Sequence, residues 1–148
     1  MNTPSEIASY LAITTKGKKI ILFDGVCNLC NSAVQFIIKH DKKDVFRFAA
    51  IESDIGQQIL QHIGMDPKKS DSVILYEPGI AYSCKSEAVL EIVQDLGSFY
   101  SLLSVFKIFP TVFSDSIYDY VAKNRYHWYG KKEHCLLPTA ELESKFLQ

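Results

Sequence analysis

The stretch KIILFDGVCNLCNSAVQFIIKH, residues 19–40, decides how this chain is read. Lys19 to Asp24 is an apolar run closed by Asp-Gly, the pattern of a short, fully buried strand. Beyond it the period changes. Cys30, Val34, Ile37 and Ile38 fall at i, i+4, i+7 and i+8, one apolar stripe of a helix. The helix ends near Lys39-His40, basic residues suited to a helix C-terminus. Cys27 and Cys30 therefore stand where a strand hands over to a helix.

Downstream, the polar turn Asp41-Lys42-Lys43-Asp44 leads to a second strand, Val45 to Ala50. Ser53 is placed to cap a second helix, with Ile55, Ile59 and Ile63 on one face and Gly64 as its stop. Ser72 to Tyr76 reads as a third strand. Glu77-Pro78-Gly79-Ile80 has Pro and Gly where a type II turn needs them, and Ile80 to Cys84 returns antiparallel. Ser86 is the expected cap of the next helix, with Val89, Ile92, Val93 and Leu96 as its apolar stripe before Gly97. Two further helical segments are expected, Phe99 to Phe109 and Thr111 to Asn124, followed by an aromatic, basic and then extended tail from Arg125. A strand–helix–strand unit of this length implies a parallel pair with a right-handed crossover. The order β-α-β, helix, β-hairpin, helix is the thioredoxin-like arrangement. The expected architecture is α/β, a three-layer fold on a four-stranded mixed sheet with a C-terminal helical extension. We read residues 1–148 as one domain, with its core at about 19–97 and the extension at about 98–148.

Composition narrows the function. The chain has 148 residues, is 47% hydrophobic and carries a formal net charge of −1. That fits a globular protein with a substantial core. With Lys and Arg spread along the chain, it argues against a dedicated nucleic-acid or membrane-surface binder. The run Arg125-Tyr126-His127-Trp128-Tyr129 mixes basic and aromatic residues but reads as a helix end packed on the core, and His40 and His62 read as structural. The first 19 residues show no basic region ahead of an apolar one, so no signal peptide is read. Residues 99–113 are apolar but contain Lys107 and Pro110 and fall short of the roughly 20 residues of a membrane span. They read as a buried helix and turn, the competing reading being an exposed patch for a partner. A reducing cytoplasmic location is expected, where a CxxC is more often catalytic or metal-binding than structural.

Four cysteines are too few for a disulfide-dense scaffold: Cys27, Cys30, Cys84 and Cys135. A helix N-terminus offers unpaired N–H groups and about half a positive charge, so a thiolate at Cys27 is stabilised there. Cys30, one turn on and topping the stripe, is expected to be the more buried sulfur. An exposed attacker above a buried resolving thiol is the arrangement that disulfide exchange uses. Asp24 has three candidate roles: bonding the free N–H groups of the Gly25–Cys27 loop, taking the proton of Cys30, or ending the strand. A zinc- or iron-binding module formed by Cys27 and Cys30 with Cys135 and His134 is the competing class, although a second close ligand pair is missing. A non-enzymatic interaction domain using the apolar 99–113 stretch is a third. Cys84 reads as core; Cys135, in a polar tail, reads as bland, a third redox thiol being the alternative.

The sequence resembles the DCC family of thiol-disulfide oxidoreductases, named for its Asp-Cys-Cys motif. The matching residues are Asp24, Gly25, Cys27, Asn28, Cys30 and Asn31, then Phe48-Ala49, Asp71-Ser72, Ser86 with Ala88, and Tyr118. The late segment matches at Asn124-Arg125-Tyr126, Trp128, Gly130, Cys135 and Pro138. The resemblance implies a thioredoxin-like fold and thiol–disulfide exchange with a redox-active disulfide, needing neither organic cofactor nor metal. It does not supply a substrate; a protein or low-molecular-weight disulfide as substrate and an external thiol as reductant are our expectation from the dithiol chemistry. Two departures from thioredoxin itself stand out. The dipeptide between the cysteines is Asn28-Leu29, and Asp71-Ser72 precedes the third strand where thioredoxins carry a cis-proline, which assigns Asp71 and Ser72 to the substrate-binding edge.

Overall fold

The computed structural model describes residues 4–24, 28–66, 73–97, 108, 110–129 and 147. The elements run α1 (Pro4–Thr14), β1 (Lys19–Phe23), α2 (Asn28–His40), β2 (Phe46–Ala50), α3 (Asp54–His62), β3 (Ile74–Glu77), β4 (Ala81–Cys84), α4 (Lys85–Leu96) and α5 (Thr111–Tyr129). β1, buried from Ile20 onward, lies inside a four-stranded sheet of order β2-β1-β3-β4. β1 pairs parallel with β2 and antiparallel with β3, and β3 pairs antiparallel with β4. This mixed sheet with its helices is the expected thioredoxin-like α/β arrangement.

The period-2 alternation of the strands builds three layers. Ile20, Leu22, Ala49, Ile74 and Tyr76 face one side, where they meet Leu11 of α1 and Ile55, Ile59 and Leu60 of α3. Ile21, Phe23, Phe46, Phe48 and Leu75 face the other, against Val34 and Ile37 of α2 and Ala88 and Ile92 of α4. Phe46 and Phe48 are completely buried; each burial of this size contributes about 2–3 kcal/mol. α5 packs across α4 and α2.

Local signals explain the element ends. Ser53 caps α3 by accepting from the Gly56 amide at 3.1 Å. Ile80 N–H donates to the Glu77 carbonyl at 3.0 Å, with Gly79 at φ +77, the left-handed position that a type II turn requires. The buried Asp41 carboxylate accepts from the amides of Val45 and Phe46 at 2.9 and 3.0 Å and so fixes the entry to β2.

Several expectations are corrected. α1 was not foreseen. Ser86 does not cap α4: the helix begins at Lys85, after Cys84 in the cap position, and the Ser86 hydroxyl donates to Asp115 instead. The buried face of α4 runs through Ala88 and Ile92, while Val89 is partly exposed. α5 runs past Asn124 to Tyr129, so residues 125–129 are a helix end, as read. Within that end, Trp128 is 48% exposed and packs edge-on against Tyr120 of the same helix, not on the core. Most of 99–109 lies outside the described residues. Where the apolar run is described, Ile108, Val112 and Phe113 are 81%, 80% and 54% exposed, against the buried reading.

Candidate active site

The strand directions bring one set of termini together. β1 ends at Phe23 and its parallel partner β2 ends at Ala50. β3 begins at Ile74, opposite Leu22, and β4 ends at Cys84, opposite Ile74. Asp24, Val73 and Lys85 therefore lie at the same end of the sheet, and the chain between β1 and α2 leaves from there.

Asp24 follows β1 directly and is 6% exposed. The Phe23 carbonyl beside it accepts from the Ile51 amide at 2.8 Å, which ties the end of β1 to the chain leaving β2. α2 starts at Asn28, so Cys30 belongs to its first turn and Cys27 directly precedes the helix in sequence. No acidic residue stands in that first turn, and the last turn carries Lys39 and His40. The charge distribution thus leaves the positive end of the helix dipole uncompensated by side chains of its own first turn. One turn beyond Cys30, Val34 is 2% exposed, and Ile37 continues the buried stripe. Cys27 itself, Asp71, Ser72, His134 and Cys135 lie outside the described residues.

Cys84 closes β4, is partly buried and carries a free thiol. Its Sγ lies 3.9 Å from Met65 Sδ. Burial pushes its pKa up, Glu87 and Asp115 add to this, and Lys85 works against it. A thiol held protonated is a poor nucleophile, in keeping with the reading of Cys84 as packing. Among the described residues no group of three or more His, Cys, Asp or Glu side chains is arranged to hold a metal ion. None of their helices is long and apolar enough to cross a membrane. His40 Nδ1 bonds the Phe36 carbonyl at 2.8 Å and His62 packs edge-on against Tyr76, which makes both structural.

Residues at this end also come from α5, which sequence reasoning named only in part. The Val73 amide donates to the Tyr118 hydroxyl at 2.8 Å, and Asp119 pairs with Lys85 at 3.0 Å. Beside them a cavity of about 380 Å³ opens between α4 and α5, lined by Ser86, Val89 and Leu90 and by Phe113, Ile117 and Tyr118. The i, i+3, i+4 spacing of Asp115, Tyr118 and Asp119 puts the three on one helical face but does not name their partners.

Comparison with known proteins accords with this geometry. The chain is 40% identical over 129 residues to an uncharacterised protein, YuxK, of Bacillus subtilis (strain 168), covering 87% of this chain and 93% of that protein. It is 40% identical over 121 residues to a chloroplastic DCC family protein of Arabidopsis thaliana, covering 81% and 70%. No solved structure gives a significant match. The profile of the DCC1-like thiol-disulfide oxidoreductases matches residues 21–131, from inside β1 to beyond the end of α5, and the chain belongs to that family.

Proposed function

We propose that the protein is a thiol-disulfide oxidoreductase of the protein-disulfide reductase type, with Cys27 as nucleophile and Cys30 as resolving thiol. The observation that carries this reading is the start of α2 at Asn28, between the two cysteines, in a member of this family. A thiolate at Cys27 meets the helix N-terminus, which lowers its pKa. Cys30 heads the stripe that continues into the buried Val34, and burial keeps a thiol protonated.

In the forward step the Cys27 thiolate attacks one sulfur of a substrate disulfide. A Cys27–substrate bond forms, the substrate S–S bond breaks, and the departing thiolate takes a proton. Cys30 then loses its proton and attacks Cys27 Sγ. The mixed disulfide breaks, the second substrate thiol is released, and the Cys27–Cys30 disulfide carries the two electron equivalents of oxidation. An external thiol reduces the pair again. Asp24, buried at the end of β1, is the candidate acceptor for the Cys30 proton, or the group that orders the loop before Cys27. Asp71 and Ser72 are assigned to the edge that meets substrate. The chemistry calls for neither metal nor organic cofactor, and a reducing compartment such as the cytoplasm supplies the donor thiol. One of the relatives is chloroplastic, a compartment that serves the same chemistry provided it supplies a donor thiol.

The test is a glutathione redox titration of the purified protein, with metal content measured on the same sample. The expected result is one two-electron transition assigned to Cys27–Cys30, in a protein free of stoichiometric zinc or iron. A chain that shows no such transition and holds stoichiometric metal would replace this reading with the metal-binding one.

A further inference from the structure

α5 has two faces of opposite use. The inner one is anchored: Asp115 accepts the Ser86 hydroxyl, Tyr118 accepts the Val73 amide at 2.8 Å, and Val121 and Ala122 are partly buried on the same side. The outer one carries Phe113, Ile117 and Tyr120, each more than half exposed, and Trp128, nearly half exposed. Phe113, Ile117, Tyr120, Asn124 and His127 follow one another at alternating steps of four and three residues, the spacing with which one helix packs along another. The three aromatic side chains, about half open, leave roughly 300 Å² of apolar surface. Ile117 adds to it, as do the exposed Val112 and Ile108 at the start of the helix. A contiguous apolar patch of this size marks an interaction surface.

Three features make this surface complementary to itself. The cavity of about 380 Å³ between α4 and α5, with Val89, Leu90, Phe113 and Ile117 in its wall, opens beside the N-terminal half of the stripe. Trp128 stands near the C-terminal end, eleven residues and three turns beyond Ile117, and so on the flank that lines the cavity. Asp119 and Lys123, at i and i+4, share the other flank. Two antiparallel helices related by a two-fold axis meet like flank to like flank. That arrangement brings Trp128 of one copy over the cavity of the other. It also brings Lys123 towards the partner's Asp119, whose side chain is 55% exposed although it pairs with Lys85. A parallel arrangement would set Trp128 against Trp128 and leave both cavities open.

We propose that the protein forms a symmetric dimer through α5, packed antiparallel, with Trp128 of each copy seated in the α4/α5 cavity of the other. The occupant of the outer face is thus a second copy of this chain. Each copy gives and receives the same surface, so the contact closes at two. A tryptophan held in an apolar pocket is the kind of anchor that carries most of an interface of this type. The inference does not depend on the oxidoreductase reading.

The experiment uses the full chain in the presence of a thiol reductant, so that no disulfide links the copies. Sedimentation equilibrium is run from submicromolar protein to about 100 μM, a range that brackets weak and tight dimers. Trp128 is the only tryptophan of the chain, so its emission reads the contact directly. We expect wild type to sediment as a dimer, with blue-shifted emission. Ile117→Glu puts a charge into the apolar seam and should raise the dimer Kd about a hundredfold. Its emission at equal concentration should move to the red, with an unchanged circular dichroism spectrum, since Ile117 is an exposed residue. Tyr120→Lys, on the same face, should dissociate the dimer as well and covers the case of a poorly folding Ile117→Glu. A wild type that is monomeric throughout overturns the inference and leaves the face to a foreign partner. A dimer that neither substitution weakens, or whose tryptophan emission matches that of the monomeric Ile117→Glu variant, also overturns it.

Discussion

The Leu147 amide donates to the Phe48 carbonyl at 2.7 Å, across the outer edge of β2. β2 is an edge strand, and alternate residues turn their main-chain groups away from β1. The edge is closed residue by residue. Asp41 takes the Phe46 amide, the Arg47 guanidinium takes the Phe46 carbonyl at 2.8 Å, and Leu147 takes Phe48. The Leu147 side chain also packs against the core cluster on the α1/α3 face.

This gives the C-terminal end of the chain a measurable share in stability. Leu147→Ala should lower the unfolding free energy by about 1 kcal/mol, since the side chain is only partly buried. Removing residues 147–148 should cost about 1–2 kcal/mol, because the hydrogen bond goes too. Urea unfolding followed by circular dichroism checks both; no difference between the truncation and wild type would mean that the edge contact carries no weight.

Gly56 brings the main chain of α3 against the end of β2. A Cβ there would lie 2.1 Å from the Ala50 carbonyl oxygen, which is main chain and cannot step aside. Gly56→Ala should therefore destabilise the fold by about 2–3 kcal/mol, in the range of overpacked sites, even though alanine favours helices. A melting temperature equal to that of wild type would refute the close approach.

Cys84 should titrate late. Its folded pKa is raised, so between the unfolded and folded values the native state binds more protons than the unfolded chain. The associated stability is present below the ordinary thiol value of about 8.5 and falls as pH climbs through the folded one. In a variant with Cys27, Cys30 and Cys135 replaced by serine, iodoacetamide should label Cys84 half-maximally above pH 8.5. A midpoint below that would show an activated thiol and contradict the reading of Cys84 as packing.

How much of this was legible depended on whether a signal was local. The change of period between Phe23 and Cys30, the Ser53 cap and the Pro78-Gly79 turn each act within a few residues, and each is found in the structure. α1 was missed because, among its described side chains, only Leu11 is fully buried, and the sequence 4–14 shows no clear apolar stripe. Ser86 looks like a cap by composition, but its hydroxyl is engaged 29 residues away by Asp115. The left-handed Lys85 also moves the start of α4 upstream of it. Residues 125–129 are the helix end they were read as, but Trp128 reaches back to Tyr120 along the same helix instead of packing on the core. At the site, Asp24 and Cys30 follow from the end of a strand and the start of a helix. The hold of Tyr118 on Val73 spans 45 residues, a distance at which no periodicity in the sequence carries information.

The central claim is the division of labour between Cys27 and Cys30, and thiol trapping tests it most directly. Cys27→Ser and Cys30→Ser are each incubated with oxidised insulin, quenched in acid and resolved by mass. With Cys30→Ser, the remaining Cys27 thiolate attacks but nothing resolves the product, so a mixed disulfide with substrate should accumulate, at a rate that stays high well below pH 8.5. With Cys27→Ser no such adduct should form if, as proposed, the remaining motif thiol is shielded and protonated. Equal trapping by both variants, or none by either, would contradict the account.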